Sequence, residues 1–274
     1  SGSDTVNAGN GADTINIAID NLDNADTVNG GNGSDSINFS SSGTLTSTDL
    51  TNVSDVENLN FSSGNDTFSF TDKADYDSTI SKFSTVRGGS GTDSIDFSSA
   101  VSGDLDFSKL SEFENLDLSS VADTIILSGD ESENVNGLAG NDTFSLDFSS
   151  IRNLNGGANT DTVKLTGNTG SNISSDTDFT PNSTFTNIER LDISGLNLNT
   201  NDNNTEFNFT EAMLNAWTGS DTGSLTLSLT SSQVEKIKFT DSSSVVHDTS
   251  STITDNTSYT IGNNTLTIDI IDVP

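Results

Sequence analysis

Short runs in which apolar and polar residues alternate punctuate this chain, among them INI (15–17), INF (37–39), LNF (59–61), IDF (95–97) and LDL (116–118). Alternation with a period of two predicts short, half-buried strands, and the Gly, Asn, Asp and Ser clusters between them predict turns. One ten-residue pattern joins turn to strand five times: VNAGNGADTI (6–15), VNGGNGSDSI (28–37), VRGGSGTDSI (86–95), VNGLAGNDTF (135–144) and LNGGANTDTV (154–163). Such recurrence predicts a repeat architecture, each unit burying its apolar face against its neighbours. Phe39, Phe61, Phe68, Phe97 and Phe144 fall where a strand core needs them.

Glycine has no Cβ and reaches positive φ freely, so a GGxG run folds sharply and aims several carbonyl oxygens into one small volume. An aspartate two residues before the closing apolar position adds a carboxylate. Carbonyl and carboxylate oxygen together suit a hard cation, and Ca²⁺ takes roughly 6–8 such ligands at about 2.3–2.6 Å. The candidate ligands are Asp4, Gly9, Gly11 and Asp13; Gly30, Gly31, Asn32, Gly33 and Asp35; Gly64 and Asp66; Gly88, Gly89, Gly91 and Asp93; Gly137, Gly140 and Asp142; and Gly156, Gly157, Asn159 and Asp161. In two of these units Leu138 and Asn159 stand in glycine positions. Asp123, with no motif glycine, reads as structural, and for every aspartate the alternative is a solvated turn residue capping its own loop.

The pattern resembles the GGxGxDxUx nonapeptide of the RTX (repeat-in-toxin) proteins. That resemblance covers about residues 1–165 and implies Ca²⁺-binding parallel β-rolls exported by type I secretion, as in toxins, lipases, proteases, giant adhesins and surface-layer proteins.

Charge agrees with a cation-binding chain. Nine basic against 41 acidic residues give a net charge of −32, which excludes nucleic acid and disfavours anionic membranes as partners. With only 30% hydrophobic residues the chain lies near compositions that stay disordered, so metal binding and folding are expected to be one event. Cysteine is absent, leaving disulfides no part in stability. No run is apolar enough to span a membrane, and no signal peptide precedes Gly2, Asp4 and Val6, which already fill the repeat slots; the chain reads as part of a longer secreted protein.

Only the start keeps a strict nine-residue period, with Gly2, Asp4 and Val6 answered by Gly11, Asp13 and Ile15. Later units, opened by Val28, Leu59, Val86, Leu116, Val135 and Leu154, are spaced more widely, which predicts one coil per interval with insertions on one side. A second acid precedes the motif aspartate by half a coil, as in Glu57/Asp66, Glu114/Asp123 and Glu133/Asp142, and is expected on the opposite edge. The glutamates belong to a motif of their own, VENLNF (56–61), FENLDL (113–118), IERLDI (188–193) and VEKIKF (234–239), read as a strand with a solvated rim carboxylate, calcium ligation being the alternative. Residues 28–85 and 86–134 align as two copies of a longer block, and an insertion rich in Ser, Asn and Asp lies around 167–185.

After Ile193 the pattern changes. Thr210 is placed to cap a helix through Trp217, which Gly219 stops. LTLSL (225–229) reads as a strand, and Gly262-Asn263-Asn264 between alternating runs predicts a hairpin.

The expected fold is all-β: a right-handed parallel β-solenoid of the RTX β-roll type, its coils irregular, closed by a C-terminal cap of one helix and strands. Residues 1–170 form the calcium-binding roll, 171–205 a degenerate coil with an insertion, and 206–274 the cap. No enzyme is expected: His247 is the one histidine, no G-x-S-x-G or P-loop occurs, and Trp217, Tyr76 and Tyr259 are too few for a sugar-binding platform. The expected function is a calcium-dependent structural module of a secreted bacterial surface protein, with self-association in a lattice or cell-envelope glycan as partners. A ligand-binding adhesin face and the non-catalytic tail of a secreted enzyme are the alternatives.

Overall fold

A computed structural model describes residues 2–127, 134–147, 153–168, 185–197, 207–219, 223–247 and 253–271. The fold is mostly β-strand, its strands pair almost throughout in parallel, and among the described residues two α-helices interrupt them. The insertion expected around 167–185 lies almost wholly outside the described residues, as does Glu133. Two compact units are present, Ser1–Ser120 with Glu131–Asn136, and Val121–Asp130 with Gly137–Pro274.

In the first unit successive passes of the chain extend parallel sheets, one of three strands and two that hold five strands each within this unit. One sheet pairs Thr5–Asn10, Thr27–Asn32 and Val53–Ser54, with Val6, Val28 and Val53 in register. The next runs Thr14–Ile17, Ser36–Phe39, Asn58–Asn60, Thr85–Arg87 and Leu110–Ser111, stacking Ile15, Ile37, Leu59, Val86 and Leu110. The third runs Thr44–Thr46, Thr67–Phe70, Ser94–Phe97, Asn115–Asp117 and Asn134–Asn136, stacking Leu45, Phe68, Ile95, Leu116 and Val135. Most of these stacked residues are buried, so the period-two alternation becomes columns of apolar side chains, while the outward positions form polar columns such as Asn16, Asn38 and Asn60.

Register settles which sequence units correspond. Leu59 opens a unit by sequence, yet it pairs with Ile37, which closes one. Asp-x-apolar and Glu-x-apolar are therefore the same structural element, an acid two residues before a buried apolar position. Glu57 and Glu114 do lie in different ladders from Asp66 and Asp123, respectively, the aspartates nine residues after them, but the expectation of an edge without glycine-repeat aspartates is corrected: Glu57 lies beside Asp35, and Glu114 beside Asp93.

Helix α1 (Lys73–Ile80) was not signalled by the sequence. Asp72 caps it by accepting the Asp75 N–H, and Tyr76 carries it into the core. The Tyr76 ring packs on Phe70, Phe97 and Phe107, and its hydroxyl donates to the Asp106 carbonyl at 2.8 Å.

The second unit is built on one long sheet in which Thr124–Leu127, Thr143–Asp147, Thr162–Asn168, Arg190–Asn197, Ser224–Leu229 and Asn264–Ile270 are parallel. Ile125, Phe144, Val163, Leu191, Leu227 and Ile268 form its buried column. Thr257–Ile261 closes the sheet as the antiparallel arm of the expected hairpin. Helix α2 (Glu211–Thr218) matches the expectation, with Thr210 accepting the Met213 N–H and Gly219 left-handed at φ 64°. Trp217 of α2 is buried against Phe185 and Phe209. VEKIKF departs from the strand reading, because a 3-10 helix covers Ser231–Lys236 and only Ile237–Thr240 is extended.

Candidate cation sites in the glycine turns

From the second repeat onward the glycine turns are packed so closely that side chains are excluded. A Cβ added to Gly31 (φ 96°) would stand 2.0 Å from the Gly9 carbonyl oxygen, and one added to Gly33 (φ 148°) 1.8 Å from that of Gly11. Glycine is required at both on conformation and on space. Where the repeat replaces glycine, the backbone keeps the unusual conformation: Leu138 has φ 67° and Asn159 φ 90°.

Beside the turns the acids form ladders. The Asp13 N–H donates to Asp35 Oδ1 at 2.7 Å, and the Asp35 N–H to Glu57 Oε2 at 2.7 Å. A second ladder links the Gly43 N–H to Asp66 Oδ1, the Asp66 N–H to Asp93 Oδ1, and the Asp93 N–H to Glu114 Oε2. In the second unit Asp123 donates to Asp142, Asp142 to Asp161, and Asp161 to Glu189 Oε2, each at 2.8 Å. The strands that the motif aspartates precede belong to different sheets. Each ladder closes on a glutamate of the apolar-Glu-x-apolar motif, a role that sequence alone hid because the glutamates share no glycines with the aspartates.

These bonds use one carboxylate oxygen. The other, Oδ2 of Asp13, Asp35, Asp93, Asp142 and Asp161, is buried and meets no hydrogen-bond partner. Those five residues are the aspartates of the five glycine repeats. Asp66, from a unit with one motif glycine, differs: its Oδ2 accepts from the Ser62 N–H and the Ser62 hydroxyl. Asp26 likewise has both oxygens occupied, by the N–H groups of Asp4 and Asp23. Burying a carboxylate oxygen without a partner is expensive, so the five orphaned atoms call for a cation or a proton.

Electrostatics carries the same mark. Burial pushes the Asp142 and Asp161 carboxyls from the usual 3.8 up to about 6, with the charges of Asp161 and Asp123 adding to the first and that of Glu189 to the second. Asp93 is raised too, chiefly by burial and then by Asp66, Glu114 and Glu112.

The remaining expected ligands are spread among these turns. Asp4 and Gly11 are exposed, the Asn32 amide donates to Asn10 Oδ1 at 2.8 Å, and Asn159 is exposed. A Cβ on Gly64 would meet the Ser42 side chain, and one on Gly91 the Gly64 carbonyl at 2.6 Å. Among the described residues no three Asp, Glu, His or Cys side chains converge as a metal cluster. A cation at these turns would therefore rest on one carboxylate and several carbonyl oxygens. That donor set is all hard oxygen and fits Ca²⁺, which the sequence reading named.

His247 is buried in the second unit. Its ring stacks on Phe239, contacts Tyr259 edge-on and bonds Asp241 Oδ2 at 2.9 Å. No helix among the described residues is long and apolar enough to cross a membrane. The chain matches no protein-family model, no curated protein and no solved structure.

Proposed function

We propose that this chain is a calcium-dependent structural module of a secreted bacterial cell-surface protein, its parallel sheets wound as a right-handed β-solenoid of the RTX type. The observation that carries the reading is the coincidence of two independent features: five aspartates defined by a glycine pattern in the sequence, and five buried Oδ2 atoms with no partner in the structure. Bound Ca²⁺ would supply two positive charges to a site holding an unneutralised carboxylate, held by Asp13, Asp35, Asp93, Asp142 and Asp161 with the carbonyls of their turns. The net charge of −32 gives the same ion a second effect, relieving repulsion across the whole chain.

Such a module stays unfolded at cytosolic calcium and folds outside the cell, where sites of about 10⁻⁴–10⁻³ M suffice. Surface-layer assembly is the favoured setting. Equilibrium dialysis against radioactive calcium tests the binding, with several ions per chain expected and none contradicting the proposal. Electron microscopy on shed envelope or lipid tests the setting: ordered arrays appearing with calcium support a lattice, and dispersed particles at saturating calcium oppose it.

A further inference from the structure

Three times among the described residues the same two-bond clamp joins a motif aspartate to the glutamate of the following pass. Asp35 donates its N–H to Glu57 Oε2, while the Glu57 N–H returns a bond to the Asp35 carbonyl at 3.0 Å. Asp93 with Glu114 and Asp161 with Glu189 repeat the arrangement, the returning bonds being 3.0 and 3.2 Å. Two residues before each glutamate the backbone is left-handed at a non-glycine residue: Asp55 (φ 52°), Glu112 (φ 63°) and Asn187 (φ 53°). Between them sits a buried apolar residue, Val56, Phe113 or Ile188. Left-handed non-glycine residues cost about 1 kcal/mol or more and persist only where their surroundings enforce them.

The left-handed turn aims a carbonyl oxygen at the first glycine of the neighbouring repeat. A Cβ on Gly30 would lie 1.9 Å from the Asp55 carbonyl oxygen and 2.8 Å from Asp35 Oδ2. On Gly88 it would lie 1.9 Å from the Glu112 oxygen and 2.9 Å from Asp93 Oδ2, and on Gly156 2.2 Å from the Asn187 oxygen and 2.7 Å from Asp161 Oδ2. In each case a neutral oxygen and a buried, partnerless carboxylate oxygen flank a space kept open by the missing side chain.

We infer that the glutamate-bearing turns complete three calcium sites, the carbonyl oxygens of Asp55, Glu112 and Asn187 acting as ligands together with Oδ2 of Asp35, Asp93 and Asp161. The glutamates are positioning residues: one bond holds the aspartate's backbone, the other fixes the turn that presents the carbonyl. A turn without glycines thus serves as the second wall of a site whose first wall is a glycine turn. This inference rests on the proposed calcium reading.

The test is a crystal structure of the whole chain grown in a millimolar excess of calcium, with anomalous data recorded at long wavelength to place the ions. The expected result is three ions, each within about 2.3–2.6 Å of one of these carbonyl oxygens and of its paired Oδ2. Ions that touch the aspartates but not Asp55, Glu112 and Asn187 would overturn the inference and leave the calcium reading standing; a folded chain without any ion would overturn both. In solution, Gly88→Ala places a methyl group in the second of these spaces, and bound calcium measured by mass spectrometry should fall by one ion per chain. An unchanged count in a folded variant would remove that site from the proposal.

Discussion

The backbone N–H of Asp142 donates to Oδ1 of Asp161 at 2.8 Å, and the second oxygen of that carboxylate is buried with nothing to bond. Asp161→Asn separates these two roles, because the amide oxygen still accepts the Asp142 N–H while the charge is removed. In saturating calcium the variant should lose roughly 1–3 kcal/mol, the scale of an unsatisfied buried polar group, together with one bound ion. In EDTA, where the parent loses its strand signal, the variant should keep at least as much of that signal, since an unpaired buried charge has gone. Thermal melts and ion counts in calcium check both effects, and destabilisation with an unchanged ion count would mean that the carboxylate is a structural acceptor only.

Glycine positions should differ in cost according to what surrounds them. Gly33→Ala drives a methyl onto the Gly11 carbonyl, whereas Gly11 has φ 124° but nothing within 4 Å of the point where its own Cβ would stand. Both substitutions carry the cost of positive φ, about 1 kcal/mol, and only Gly33→Ala adds a backbone collision. Denaturant unfolding in calcium should rank Gly33→Ala as clearly the more damaging.

Leu138 stands where the repeat otherwise has glycine; it has φ 67° and 48% of its surface is exposed. Leu138→Gly removes the left-handed penalty and gives up little burial. A gain of about 0.5–1 kcal/mol is expected in a denaturant melt, net of the greater chain entropy of glycine.

Acidity should act in opposite directions with and without metal. The Asp142 and Asp161 carboxyls are raised from 3.8 to about 6, so without calcium their protonation favours the folded state. That contribution is complete below about pH 3.8 and is lost as pH rises through about 6. Calcium requires the deprotonated carboxylates, so its affinity should weaken as pH falls through about 6, with protons released on binding near that pH. Titration calorimetry in buffers of different ionisation heat measures the release. No proton release near pH 6 would show that neither carboxylate is a ligand.

Much of this was legible in the sequence, and the parts that were not have physical causes. Strands such as Ser36–Phe39 and Ser94–Phe97 follow from strict alternation, and helix α2 from the Thr210 cap and the Gly219 stop. The five aspartates stood out because glycine spacing is a local property. Parallel pairing is not local: Leu59 looks like the start of a unit in sequence, and only the sheet shows it level with Ile37. For that reason the glutamates read as a second edge, although they continue the aspartate ladders. Helix α1 escaped because Tyr76 and Ile80 are its main apolar anchors, too sparse to reveal helical periodicity; its stability comes from packing on Phe70, Phe97 and Phe107. The serine that satisfies Asp66 was equally invisible, since Ser62 is one of many serines until the turn brings it to the carboxylate.

Far-UV circular dichroism of the chain, with calcium and after its removal by EDTA, tests the coupling of metal to fold most directly. A strand spectrum and a cooperative melt are expected in calcium, with a midpoint that climbs with calcium concentration and loss of the strand signal in EDTA. A chain that keeps its full β signal and its melting temperature in EDTA would contradict it.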